Sequence, residues 1–199
     1  MQLSHGKNIR LFKNPILERF TYVHPILPAA VWVPVVVFCF STAVWQGTLS
    51  FANSFILALA GLFVWTLSEY GLHRFIFHFK PIGPISDRLY FLFHGIHHDD
   101  PEDARRLLMP PVAAIAIASV FYITFWLTLG PVMANPFFAG FIFGYLCYDY
   151  THFAVHFSRP KSKWFKSLKQ NHMLHHYATP NKRYGVSNVF WDRVFRTHG

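Results

Sequence analysis

Four stretches of the chain are apolar almost without interruption, at residues 26–45, 49–68, 110–129 and 131–150. None contains Lys or Arg, and only the last holds an acid, Asp149. Each has roughly the 20 residues that a helix needs to cross the hydrocarbon core of a bilayer. The connectors at 46–48 and 129–131 are too short for anything but a tight reversal, so the stretches pair into two predicted helical hairpins. The polar segments 69–109 and 151–199 are left to form a cap on one side. The expectation is an all-α integral membrane protein, with four transmembrane helices in two hairpins and a histidine-rich helical cap, over a single domain of residues 1–199.

Charge orients this arrangement. Of the 18 Lys and Arg residues, four precede residue 20, five lie between Arg74 and Arg106, and nine follow from Arg159. Under the positive-inside rule all three groups face the cytoplasm, which requires an even number of crossings between them. Both termini and the cap are therefore expected on the cytoplasmic face of a bacterial inner membrane or the endoplasmic reticulum. The formal charge of +9 then reflects orientation and anionic headgroups. Dispersed basic flanks without a recognition motif argue against nucleic acid as a partner. The first 24 residues lack the short apolar core of a secretory signal, so 26–45 is expected to remain as an anchor. Cys39 and Cys147 both fall in apolar stretches, where a free thiol acts as a small hydrophobe.

The histidines change the picture. Thirteen are present, and ten fall in four clusters: His73 and His78, then His94, His97 and His98, then His152 and His156, and finally His172, His175 and His176. At this composition a five-residue window matches H-x-x-H-H by chance roughly three times in ten thousand, and the chain has two such matches. On a helix, residues three or four apart share a face. The triplets and His152 with His156 can thus each direct their rings one way, whereas His73 and His78, five apart, require a bend or two different metals. If the second and fourth helices run the same way, all four clusters meet at one boundary.

Ten imidazoles exceed what one ion takes; two ions with five nitrogens apiece would use the whole set. Ligand type leaves iron, zinc, copper and nickel open. Neutral imidazole ligands usually donate their other ring nitrogen to an acceptor, for which Glu69 and Asp149 are the nearest acids. His5, His24 and His198 stand alone and read as ordinary hydrogen-bonded residues. The segment 158–168 reads as a basic interfacial helix with Trp164, Phe165 and Leu168 toward lipid. Arg105 and Arg106 either hold a substrate headgroup or, the favoured reading, reach lipid phosphates. The 23 phenylalanines are mostly packing and lipid-facing residues.

The segments "EYGLHRFIFH", "HGIHH" followed by "RRLLMPP", "GYLCYDYTHFAVHF", "SLKQNHMLHH" and "YGVSNVFWDRVFRT" together resemble the fatty acid hydroxylase superfamily, most closely its fatty acid 2-hydroxylases. That resemblance implies a four-helix membrane base and a two-metal centre, functionally di-iron, with all ten clustered histidines as ligands. It implies O2 as co-substrate and oxygenation of an acyl chain at C2, on a fatty acid or ceramide, as well as a Tyr-Asp pair, Tyr148 and Asp149, beside the substrate. Many eukaryotic relatives carry a fused cytochrome b5 domain, for which this chain has no room, so the expected electron donor is a separate protein such as cytochrome b5 or ferredoxin. Zinc has no redox chemistry and is excluded as the working metal, although its tighter binding lets a purified preparation contain it. A lipid desaturase or sterol oxidase shares the histidine boxes. A metal transporter is disfavoured because its ion sites belong at mid-membrane depth, where these helices carry no His, Lys or Arg.

Overall fold

The computed structural model describes Lys7 and residues 9–199, and among these every regular element is helical. Asn14 caps α1 (Pro15–Arg19), its side chain accepting from Ile16 N–H at 2.8 Å. The long helix α2 (Ile26–Trp45) follows, then α3 (Phe51–Gly71), which continues as a π-helical turn over Leu72–Phe77. Helix α4 (Pro84–Tyr90) passes through a second π-helical stretch, Phe91–Gly95, into the single turn α5 (Ile96–Asp99). The longest element, α6 (Pro111–Phe157), is followed by α7 (Lys163–Tyr177) and the short α8 (Phe190–Val194).

Three helices are long and apolar enough to cross a membrane: Ile26–Trp45, Phe51–Phe77 and Pro111–Phe157, with mean hydropathies of 2.1, 1.7 and 2.1. No more than about a fifth of each apolar window is buried (22%, 17% and 17%), so most of that surface needs a hydrocarbon solvent. The third and fourth predicted stretches lie in one element, α6, which is interrupted at Gly130. There φ is 76° and ψ 164°, a backbone geometry essentially reserved for glycine. Rings pair across the break, Phe125 with Phe137 at 4.8 Å and Phe121 with Phe141 at 4.7 Å. Tyr122 Oη also donates to Asn135 Oδ1 at 2.9 Å. The two arms of α6 therefore fold back on each other.

The chain divides into two compact units. The apolar unit comprises His24–Thr66 and Met109–Cys147. In it α3 and the second arm of α6 run parallel: Ala58 lies against Gly140, and Trp65 against Phe141 and Tyr145 at ring separations of 5.1 and 5.5 Å. Gly61 and Gly140 let the two backbones touch, since a Cβ on either would overlap a carbonyl of the opposite helix. Small residues at the seam are the usual solution where lipid offers no hydrophobic drive to pack.

The polar unit comprises Leu67–Leu108, Tyr148–Gly199 and, unlike the predicted cap, the described residues up to Val23. Val23 N–H donates to the Arg105 carbonyl at 2.7 Å. Arg106, whose side chain is only 4% exposed, pairs with Glu18, donates to the Ile9 carbonyl, and lies 3.4 Å from Asp103. Its guanidinium is thus committed to the N-terminal segment, which overturns both the lipid-phosphate and headgroup readings for that residue. Leu168 is likewise buried in this unit, which overturns its expected lipid-facing position, whereas Trp164 is exposed.

Candidate metal centre

The polar unit brings ten imidazoles into two adjacent nests. His73, His78, His94, His98 and His175 form the first; His97, His152, His156, His172 and His176 form the second. Within each nest one nitrogen per ring lies within 4.8 Å of all the others. The predicted common face of each triplet is therefore divided between nests. At about 100° per residue, positions i and i+4 fall close together while i+3 turns to the other side. His94 with His98, and His172 with His176, each share a nest, and the intervening His97 and His175 cross to the opposite one. His73 and His78 need neither a bend nor different metals. The π-turn, closed by His78 N–H donating to the His73 carbonyl at 3.1 Å, fits their spacing of five.

The nearest approaches are all between Nε2 atoms. In the first nest His73 meets His94 at 3.1 Å, and His78 meets both His98 at 3.1 Å and His175 at 3.0 Å. In the second His152 meets His97 at 3.0 Å, and His172 meets both His156 at 2.9 Å and His176 at 3.0 Å. A neutral ring nitrogen has one proton or one lone pair, so hydrogen bonds cannot account for both contacts of His78 Nε2 or both of His172 Nε2. His73 Nδ1 and His175 Nδ1 each stand 2.6 Å from a backbone carbonyl, of Tyr184 and Lys182 respectively. A carbonyl only accepts, so both Nδ1 atoms carry the proton and both Nε2 atoms of the neutral rings present lone pairs inward. Five inward nitrogens around one point suit a cation. Nitrogens that each reach about 2.1 Å to a shared ion stand no more than about 4.2 Å apart, and the nearest approaches here fall within that reach.

Burial keeps these rings neutral. His94, His97 and His172 lie well below the ordinary histidine range, first because burial penalises the charged form and then because neighbouring imidazoles repel a proton. His78 and His98 are pushed down to about 3 by the same causes. Neutral imidazole is the form that binds metal.

Tyr148 and Asp149 are both buried, and the Tyr148 ring stacks on His152 with centroids 5.8 Å apart, beside the second nest. Glu69 does not serve His73. It accepts from Val186 N–H and Ser187 N–H, both at 2.8 Å, and from the Ser187 hydroxyl. The acceptors for His73 and His175 are backbone carbonyls, which sequence reasoning missed because every residue has one. His24 and His198 join neither nest, and His5 lies outside the described residues.

Membrane-length helices leading to two histidine nests define a class of membrane proteins equipped for metal chemistry. Within that class the chain belongs to the fatty acid hydroxylase family, whose sequence model matches residues 58–197. It is 36% identical to a dihydroceramide fatty acyl 2-hydroxylase of Arabidopsis thaliana, FAH2, over 94% of this chain and 79% of that protein. It is 40% identical to the ceramide very long chain fatty acid hydroxylase SCS7 of Saccharomyces cerevisiae over 94% of this chain and 48% of the other. For the human fatty acid 2-hydroxylase the identity is 35%, over 95% and 56%. The chain thus spans about half the length of these fungal and human relatives. A solved structure described as full-length scs7p, with only its hydroxylase domain visible, superposes with a TM-score of 0.87 at 39% identity, covering 94% of this chain and 70% of that one.

Proposed function

We propose that this chain is a membrane di-iron monooxygenase that hydroxylates C2 of an acyl chain carried as a fatty acid or ceramide. The single observation that carries the reading is the convergence of ten neutral imidazoles into two nests of five, in a chain whose relatives are named 2-hydroxylases. Bound iron would supply the redox capacity to activate O2 against a C–H bond, which no side chain has. Overall, R–H, O2, two electrons and two protons give R–OH and water. A donor protein of cytochrome b5 or ferredoxin type delivers the electrons.

Each part of the chain has a role in this reading. All ten clustered histidines would hold the ions, and as neutral ligands they would leave the ions' positive charge uncompensated by the protein. Tyr148 and Asp149 stand beside the second nest to orient the substrate. In this reading the chain crosses the membrane four times in two hairpins, α6 spanning twice about Gly130, with the histidines on the cytoplasmic side and the acyl tail supplied by the bilayer. Zinc in place of iron would leave the nests without redox chemistry and the protein inactive.

Iron-loaded protein in lipid, given an electron donor and 18O2, should yield an acyl product heavier by one labelled oxygen, located at C2 by fragmentation mass spectrometry. A double bond, a hydroxyl elsewhere, or unaltered lipid from protein containing two irons would overturn the assignment.

A further inference from the structure

The C-terminal segment 182–197 is folded around one carboxylate. Asp192 is completely buried and accepts three hydrogen bonds at 2.8 Å: Tyr184 N–H and the Thr197 hydroxyl on Oδ1, and Gly185 N–H on Oδ2. Thr197 N–H returns to the Asp192 carbonyl at 2.7 Å, and the Thr197 carbonyl accepts from Arg183 N–H at 2.8 Å. Two of these bonds hold peptide planes whose opposite edges matter. The Gly185 N–H belongs to the same planar trans unit as the Tyr184 carbonyl, so pinning the one on Asp192 aims the other at His73 Nδ1. The Arg183 N–H likewise shares its unit with the Lys182 carbonyl, which receives the proton of His175 Nδ1. Arg183 adopts φ 63°, a conformation that L-residues keep only when their surroundings enforce it. At Gly185 a Cβ would overlap the Asn188 carbonyl and press on Asp192 Oδ2, so the close approach needs glycine.

Both histidines served in this way belong to the first nest. In the second nest, by contrast, His172 Nδ1 and His176 Nδ1 are buried without any hydrogen-bond partner among the described residues. We propose that Asp192 is a positioning residue for the first nest: through the Tyr184–Gly185 and Lys182–Arg183 peptides it fixes the tautomer and direction of His73 and His175, and it makes the two metal sites unequal, the first binding more tightly. The inference rests on the nests being metal sites. Partners that orient a metal-bound imidazole are commonly worth 10–100-fold in affinity, and their loss should fall on one site only.

The test titrates metal-free protein in detergent with Co2+, followed by visible absorption and by metal counting after gel filtration. Wild type should fill two sites in two resolved phases. Asp192→Asn keeps the volume but presents an amide N–H to a backbone N–H, and its tighter phase should weaken by about 10–100-fold with the weaker one unmoved. Combination with nest-specific substitutions assigns the phases: the ion that Asp192→Asn still holds should vanish when His176→Ala is added and survive when His98→Ala is added. Thr197→Val, which removes one of the three bonds to the carboxylate, should shift the same phase by less, and it stands in if Asp192→Asn does not accumulate as folded protein. Unchanged titration in the folded variants, or equal weakening of both phases, would overturn the proposal while leaving the two-metal reading intact. Wild-type protein that binds no Co2+ would instead remove the metal centre itself.

Discussion

His97 and His98 are consecutive residues whose imidazoles serve different nests, with ring centroids 6.1 Å apart. One turn of backbone thus supplies both candidate metal sites, and the same holds for His175 and His176, 5.7 Å apart. A shift of α5 or α7 would therefore move rings of both nests together.

Alanine in place of either residue separates the sites. His97→Ala should leave one ion, held by the first nest, and His98→Ala should leave one held by the second. Either loss should lower product formation by at least the roughly 100-fold that weaker outer-sphere changes can reach. Metal counting alongside lipid mass spectrometry checks this. Full occupancy of two ions in either variant would contradict the division into nests.

Acid should destabilise the metal-free protein. His78 and His98 titrate near 3 when folded, first because of burial, against about 6.5 when unfolded. Between those values the unfolded chain binds more protons, so stability is fully present above about pH 6.5 and is lost as pH falls toward 3. Bound metal competes with those protons, so loaded protein should resist the same acidification until the ions leave. Melting temperatures of apo and loaded protein between pH 4 and 8 would show it, and parallel pH profiles would refute it.

The buried Arg106–Glu18 pair ties the N-terminal segment to the loop after the second histidine cluster. Glu18 also accepts Leu11 N–H at 3.0 Å and Phe12 N–H at 2.8 Å. Arg106→Ala strands that carboxylate without its counter-charge, a change that commonly costs about 3–5 kcal/mol. The expected result is earlier unfolding and earlier proteolysis within the first 25 residues, partly recovered by replacing both residues with Met. An unchanged melting temperature for Arg106→Ala would show that the pair is dispensable.

At the seam between α3 and α6, Gly140→Ala forces its methyl against the Ala58 carbonyl. Overpacking of this kind costs about 1–3 kcal/mol. The variant should melt earlier, and Gly140→Leu should fail to accumulate, whereas Gly71→Ala, where a Cβ meets nothing within 4 Å, should be tolerated. Equal melting of Gly140→Ala and Gly71→Ala would place the contact elsewhere.

The sequence by itself determined the helices, because uncharged runs of membrane length leave the backbone no other way to satisfy its hydrogen bonds in hydrocarbon. It also marked the ten histidines, since spacing of three to five is local information that survives without a fold. Only the tertiary structure decided how those rings divide. A spacing says which residues share a helical face, but His97 and His175 were reassigned by where other helices stood, and His73 joined His78 through a π-turn that no local preference announces. The same holds for Asp192, the only acid after Asp149, which in sequence is one carboxylate among nine basic residues. Its place at the centre of the segment that aims two carbonyls at His73 and His175 depends on more than local sequence: Lys182 and His175 are neighbours along the chain, but Tyr184 and His73 are 111 positions apart and meet only once the chain has closed on itself.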